Sequence, residues 1–279
     1  MPAIPLPPAV IRDTVARALA EDVGPGDLSL AAVTADKAVS AVLVAREEGV
    51  LCGRPFAEEV FAQLGGGRLE WEAREGDALA PDQAVVTVEG PAAVLLTGER
   101  TALNFLQTLS GTATATARMV NSVAGTGTRI LDTRKTLPGL RTAQKYAVRV
   151  GGGHNHRQGL YDGILLKENH LAWAGGLEAA VRAARDATPH TARIQVEVED
   201  LDQFRAALAA GVDALLLDNF SPEDLRTAVA ERPPGCFLEA SGNIGLDNVR
   251  EVAATGVDGI SSGALTRDLS SLDLSMRYL

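Results

Sequence analysis

The feature that most restricts what this chain can fold into is a rhythm in its second half. Short apolar runs at 130–131, 163–166, 194–197, 214–217, 237–240 and 259–261 recur at roughly 20–30-residue intervals, with amphipathic stretches such as 177–187 and 201–210 between most of them. That interval is the length of a βα unit, and strands joined by helical crossovers lie parallel in one sheet. Two joints look alike. Ala209-Ala210-Gly211-Val212-Asp213 and Ala254-Thr255-Gly256-Val257-Asp258 each place a glycine where a helix can close in the left-handed conformation before the next strand. A polar residue ends every run: Asp132, Lys167, Glu197, Asp218, Ser241 and Ser262. In an α/β barrel these positions converge on one mouth, where active sites are built.

The first part of the chain lacks the rhythm. A helical pattern covers 9–20, a loop 21–27, and strand-like runs 40–45 and 84–88 alternate or are continuously apolar. This predicts a separate α+β domain over 1–112, with a helix at 92–121 leading into a barrel over 113–269. The last residues, 270–279, are too short for another βα unit and are expected to pack back on the first domain. A hairpin-like stretch, Glu75-Gly76-Asp77-Ala78-Leu79 followed by 83–90, resembles part of a biotinyl or lipoyl carrier. It lacks the exposed lysine such a carrier needs, so it reads as structural.

Charge and cysteine content exclude several classes. The net charge of −10 argues against a general nucleic-acid binder, which would be basic. No apolar run is long enough to span a bilayer, and the proline-rich start has no basic region before an apolar core, so no signal peptide is expected. Cys52 and Cys236 lie far apart without metal-site spacing and read as buried thiols of a reducing, cytoplasmic compartment.

Within this acidic chain lies a basic island. Arg129, Arg134, Lys135, Arg141, Lys145, Arg149, Arg157 and Lys167 are accompanied by only Asp132 and Asp162, a pattern that focuses positive potential on an anionic ligand. Arg141, Lys145 and Arg149 recur every fourth residue and read as a solvated helix face. Arg134, Lys135, Arg157 and Lys167 flank strand ends and glycine loops and are expected to bind ligand. Gly151-Gly152-Gly153 before His154-Asn155-His156-Arg157 could bring backbone N–H groups close to that ligand. Metal binding by His154 and His156 is disfavoured, because no third soft ligand is in view and the neighbouring cations would repel a metal. Glu197 and Asp218 suit ribose hydroxyls or a hard cation such as Mg²⁺, or alternatively salt bridges to mouth cations. Ser241-Gly242-Asn243-Ile244-Gly245 and Ser262-Gly263-Ala264 have the character of a barrel's phosphate cradle, small residues after late strands and before helix starts.

Three stretches together carry a family resemblance. Leu131-Asp132-Thr133-Arg134-Lys135-Thr136-Leu137-Pro138-Gly139-Leu140-Arg141, the segment from Gly151 through Arg157, and Leu166-Lys167-Glu168-Asn169-His170 closely resemble the quinolinate phosphoribosyltransferases. Glu21-Asp22-Val23-Gly24-Pro25-Gly26-Asp27, Glu99-Arg100-Thr101-Ala102-Leu103-Asn104, Leu217-Asp218-Asn219 and Glu239-Ala240-Ser241-Gly242-Asn243 extend the likeness over nearly the whole chain. The resemblance implies an N-terminal α/β-sandwich domain followed by an open, TIM-like α/β barrel. It implies phosphoribosyl transfer from phosphoribosyl pyrophosphate to quinolinate with decarboxylation, Mg²⁺ as cofactor, and a head-to-tail homodimer with no nucleic-acid or membrane partner. By that correspondence Arg100 reaches the neighbouring subunit's site. Thr133, Arg134, His156, Arg157 and Lys167 bind the dicarboxylate, and Lys135 is shared with the phosphates. Glu197 and Asp218 hold ribose hydroxyls and metal, while Ser241, Gly242, Asn243, Ser262, Gly263 and Ala264 hold the 5′-phosphate. The catalytic set so implied is Lys135, Lys167, Glu197 and Asp218. A related enzyme acting on another acceptor and a non-catalytic phosphosugar-binding protein are the competing expectations. The first, exemplified by relatives linked to molybdenum uptake, would act on another substrate, which a comparison of quinolinate with nicotinate as acceptor helps to separate; the second would bind without turnover.

Overall fold

The structure is a computed structural model that describes residues 6–33 and 36–279. The start of the proline-rich segment, 1–5, on which the absence of a signal peptide was expected, lies outside the described residues. The chain forms two compact units, one of residues 1–117, 137–152 and 268–279, the other of 118–136 and 153–267.

The first unit opens with α1 (Pro8–Asp22), whose proline in the first turn costs no hydrogen bond and which buries Thr14, Val15 and Leu19. After a short 3₁₀ turn (Leu28–Ala32) come β1 (Ala38–Ala45), β2 (Gly49–Val50), α2 (Arg54–Gln63), β3 (Arg68–Trp71), β4 (Ala78–Leu79), β5 (Ala84–Pro91) and α3 (Ala92–Ser122). The start of α2 has no side-chain cap of its own. Glu75 supplies one from a distance, its carboxylate accepting the N–H groups of Gly53 at 2.8 Å and Arg54 at 3.1 Å. β1 pairs antiparallel with β5, β5 with β3. The apolar residues of β1 and β5 bury Leu43, Val86 and Val88 against Phe56, Phe61 and Leu106, each fully buried large side chain contributing roughly 2–3 kcal/mol.

The second unit begins near the end of α3 and contains β6 (Arg129–Leu131). The chain then returns to the first unit for α4 (Arg141–Val150). The expectation of a solvated Arg141-Lys145-Arg149 face is corrected here: Lys145 is only 2% exposed, and Arg141 and Arg149 are half-buried. Spacing by four puts residues on one face of a helix but does not say which way the face points. α4 turns Ala143 and Ala147 into the apolar core, and Lys145, on another face of the same helix, is buried as well. In the glycine run after α4, the first glycine serves packing. A Cβ on Gly151 would lie 2.4 Å from the carbonyl oxygen of Ala113 in α3.

The remainder of the second unit follows the βα rhythm: β7 (Ile164–Leu166), α5 (Glu168–Trp173), α6 (Leu177–Ala187), β8 (Ile194–Val198), α7 (Leu201–Ala209), β9 (Ala214–Asp218), α8 (Pro222–Glu231), β10 (Phe237–Ser241), α9 (Val249–Ala253), β11 (Gly259–Ser261) and α10 (Ala264–Arg267). Side chains of Asp200 and Ser221 cap α7 and α8. Gly211 and Gly256 close α7 and α9 at φ +69° and +93°, the left-handed conformation their joints require. The six strands form one parallel sheet in the order β6-β11-β10-β9-β8-β7. Its two edges, β6 and β7, do not pair with each other. An isolated bridge from Leu131 to His154 extends the wall beyond β6, making an open α/β barrel. The chain ends in β12 (Leu274–Tyr278), which pairs antiparallel with β1 in the first unit.

Candidate active site

A cavity of about 340 Å³ opens at the carboxyl ends of the parallel strands. Its wall joins residues far apart in sequence: Thr133, Arg134 and Lys135 after β6; His156 and Arg157 beyond the bridge; Lys167 after β7; Glu197 on β8; Asp218 on β9; Ser241 on β10. Each strand places these groups by alternation. Leu165 lies two residues before Lys167, Leu216 two before Asp218 and Glu239 two before Ser241, and these partners line the same cavity deeper in the barrel. Leu165, Leu216, Glu239 and Ser261 were not singled out in the sequence.

The cations are held in place before any ligand is considered. Lys135 lies along the β6 loop, its N–H donating to Thr133 Oγ1 at 3.0 Å and its carbonyl accepting from Thr266 Oγ1 at 2.7 Å. A side chain on Gly263 would meet the Lys135 stem, so this glycine makes room for that lysine. Lys167 Nζ donates to Glu197 Oε2 at 2.5 Å. The salt-bridge reading of Glu197 is therefore satisfied in the same place as the ligand reading. Arg157 donates from its guanidinium to the Gly163 carbonyl at 3.1 Å. Its pKa is lowered, chiefly by burial and then by the nearby Arg134 charge, against an opposing pull from Asp162. Two guanidinium groups crowded at one wall repel, and a bound dianion relieves that repulsion.

The loop carrying His156 and Arg157 is fastened by carboxylates. Asp132, fully buried, accepts Asn155 Nδ2 at 2.5 Å and the His156 N–H at 2.8 Å. Asp162 accepts the Gln158 and Gly159 N–H groups at 2.7 and 2.9 Å. The ring of His156 is held on both sides. Its Nδ1 accepts the Arg157 N–H at 2.7 Å, and its Nε2 lies 3.0 Å from Gln195 Oε1 and 3.3 Å from Glu239 Oε2.

The late loops are tied to one another and to the barrel by side-chain hydrogen bonds. Asn219 at φ +56° donates to Asp218 Oδ2 at 3.0 Å and accepts from Asn243 Nδ2 at 3.3 Å, tying the β9 loop to the β10 loop. Ser262 is buried and donates to the Ile244 carbonyl at 2.9 Å. Only α10 follows its cradle directly. The loop Ser241-Gly242-Asn243-Ile244-Gly245 leads to α9, which starts at Val249. Gly242, Asn243, Ser262, Gly263 and Ala264 sit beside the cavity's strand ends without lining it, and Arg100 is exposed on the first unit. Among the described residues no group of three or more His, Cys, Asp or Glu side chains is arranged to hold a metal ion, and no helix is long and apolar enough to cross a membrane.

Comparison with known proteins matches two family models, the N-terminal domain of quinolinate phosphoribosyl transferase over residues 27–110 and its C-terminal domain over 112–277. The probable nicotinate-nucleotide pyrophosphorylase (carboxylating) of Bacillus subtilis is 42% identical over 257 residues, covering 92% of this chain and 89% of the relative. The human nicotinate-nucleotide pyrophosphorylase (carboxylating) is 41% identical over 280 residues, covering 99% and 94%. Among solved structures, the nicotinate-nucleotide pyrophosphorylase from Francisella tularensis superposes with a TM-score of 0.95 at 42% identity, covering 99% of this chain and 98% of that one.

Proposed function

We infer the function from a plain premise: this chain belongs to the quinolinate phosphoribosyl transferase family. It is an enzyme that transfers a phosphoribosyl group from phosphoribosyl pyrophosphate to quinolinate with decarboxylation, yielding nicotinate mononucleotide, pyrophosphate and carbon dioxide for NAD biosynthesis. The observation that carries the reading to this chain's own residues is the mouth, where Arg134, Lys135, Arg157 and Lys167 share one cavity with Glu197 and Asp218.

In this reading Arg134, Arg157 and Lys167 take the two carboxylates, with Thr133 and His156 completing that wall. Forked guanidinium groups suit a rigid planar dianion. Lys135 spans the dicarboxylate and the phosphates. Ser241, Gly242, Asn243, Ser262, Gly263 and Ala264 take the 5′-phosphate through hydroxyl and backbone N–H donors. Glu197 and Asp218 hold the ribose hydroxyls. As the bond from ribose C1′ to pyrophosphate breaks, positive charge builds on the sugar and these carboxylates stabilise it, while the quinolinate nitrogen forms the new bond to C1′. The ring nitrogen is then cationic. The bond from C2 to its carboxylate breaks, the electron pair stays on C2, and a proton replaces the departing carbon dioxide. Most of the acceleration is orientation and electrostatics.

Glu197 and Asp218 also fit Mg²⁺. They are hard oxygen donors on adjacent strands, and one or two carboxylates plus substrate phosphates is the usual magnesium donor set; the ion would neutralise the leaving pyrophosphate. Arg100 is assigned to the mouth of a second copy in a head-to-tail homodimer, which would explain an exposed arginine within a motif shared by the family. Buried thiols at Cys52 and Cys236 support a reducing cytoplasmic compartment.

The test is direct. Purified protein given quinolinate, phosphoribosyl pyrophosphate and Mg²⁺ is expected to release carbon dioxide and form nicotinate mononucleotide. Absence of carbon dioxide release refutes the assignment, and turnover of nicotinate in place of quinolinate reassigns the acceptor.

A further inference from the structure

One charged group in the barrel has no part in the chemistry above. Glu239 sits inside β10, only 2% exposed, below the mouth. A buried carboxylate costs several kcal/mol in lost hydration unless its surroundings compensate. Here they do so in part. Oε2 accepts Gln195 Nε2 at 2.8 Å and faces His156 Nε2 at 3.3 Å, while Oε1 is buried without a hydrogen-bond partner. Burial would raise the pKa, but the hydrogen bonds from His156 and Gln195, the charge His156 carries whenever its ring is protonated, and the neighbouring Ser261 hydroxyl outweigh it and hold the carboxyl below its ordinary value. A position serving packing alone would be filled better by an apolar residue of the same volume.

The network points outward. His156 Nδ1 accepts the Arg157 N–H, so in this arrangement Nδ1 carries no proton and the neutral ring keeps its proton on Nε2. Nε2 in turn faces two acceptors, Gln195 Oε1 and Glu239 Oε2. A continuous chain of contacts therefore runs from a buried carboxylate, through an imidazole of fixed tautomer, to the backbone of an arginine that forms the mouth.

We propose that Glu239 is a positioning residue for dicarboxylate binding, acting through Gln195 and His156 to fix the placement of Arg157. The proposal rests on the reading of the mouth given under Proposed function. Arg157 is crowded by Arg134, and its backbone anchor on His156 acts with its guanidinium bond to Gly163 to hold it against its like-charged neighbour. The interior carboxylate also offsets part of the field of the two guanidinium groups.

Glu239→Gln keeps the shape and removes the charge. The amide either sets its N–H₂ against Nε2–H, donor against donor, or turns its oxygen to Nε2 and offers an uncharged, weaker acceptor. In both orientations the hold on the imidazole, and through it on Arg157, is loosened. Supporting-network changes of this kind cost about 10–100-fold. The expected result in folded Glu239→Gln is a KM for quinolinate raised about tenfold or more, a KM for phosphoribosyl pyrophosphate within about twofold of wild type, and partial recovery in Glu239→Asp. Equal loss toward both substrates, or no change in either, overturns the proposal. Nitrogen-15 NMR of the wild-type imidazoles keeps it falsifiable if the variants fail to fold. His156 is expected as the Nε2–H tautomer at neutral pH, and an Nδ1–H tautomer overturns the proposal. Failure of wild type to turn over quinolinate would refute the functional reading instead, and the tautomer measurement separates the two.

Discussion

Gly242 stands at the turn where β10 leaves the barrel, with φ at +101°. Replacing it by alanine adds one carbon atom, and the surroundings specify what that atom meets. A Cβ there would lie 2.2 Å from Asn219 Oδ1, 2.6 Å from its Cγ and 2.9 Å from its backbone nitrogen. The backbone conformation alone costs a non-glycine residue about 1–3 kcal/mol. Displacing the Asn219 side chain adds the loss of its bonds to Asp218 and Asn243, about 0.5–1.5 kcal/mol each. The total is roughly 2–6 kcal/mol, which at about 2–4 °C per kcal/mol for a chain of this size lowers the melting temperature by at least about 4 °C. The functional loss should be selective. Asp218 loses its restraint and the proposed phosphate loop shifts, while Arg134 and Arg157 on the opposite wall are untouched. Thermal melting with initial rates at varied substrate is the assay, and KM for phosphoribosyl pyrophosphate is expected to rise more than KM for quinolinate. A melting temperature within about 2 °C of wild type with both KM values unchanged would refute the reasoning.

Other outcomes follow from the same geometry. Arg100→Ala and Lys167→Ala are each expected to abolish turnover with the fold intact, and mixed dimers of the two to recover part of it; no recovery in verified heterodimers sinks the shared site. Asp132→Ala strips the acceptor from the buried His156 N–H and from Asn155 and is expected to cost about 2–4 kcal/mol, read as an earlier urea midpoint. Glu239 has a depressed folded pKa, so its stabilising contribution is present above the ordinary glutamate range and is lost as pH falls through the folded value. Glu239→Gln should flatten the acid limb of stability against pH, and parallel curves contradict this. Burial first, and the Glu75 charge second, hold the Cys52 thiol well above its ordinary pKa, so it should react with a thiol reagent only after denaturation; rapid native labelling would show the core to be open.

The barrel was legible in the sequence because parallel strands covered by helices read as short apolar runs, and a run's end is marked by its first polar residue. Lys167, Glu197, Asp218 and Ser241 were found in that way. The groups beneath them were not, because a single polar residue within a run looks like noise. Yet Gln195 precedes Glu197 by two, and Glu239 precedes Ser241 by two. Alternation could have placed both on the interior face. The three stacked cations of α4 misled for a different reason. Helical period fixes relative facing, whereas burial depends on what lies against the helix, which a local pattern does not encode. Gly151 was similarly ambiguous, since a missing side chain serves an approaching ligand and an approaching helix equally.

The barrel wall is not uniform in how it is fastened. Between β7 and β6, through β8 to β11, it is sewn by a continuous backbone ladder that any substitution must respect. The stretch that bears His156 and Arg157 meets that ladder by backbone at the Leu131–His154 bridge, and side chains hold the rest of it: Asp132 and Asp162 on its backbone, and Gln195 and Glu239 on the His156 ring. Such a panel can be recut without unpicking the sheet. Changes confined to 155–163 could alter which anion the mouth prefers while the strands that hold Glu197 and Asp218 stay in register, so acceptor choice and phosphoribosyl chemistry are free to evolve at different rates on one scaffold.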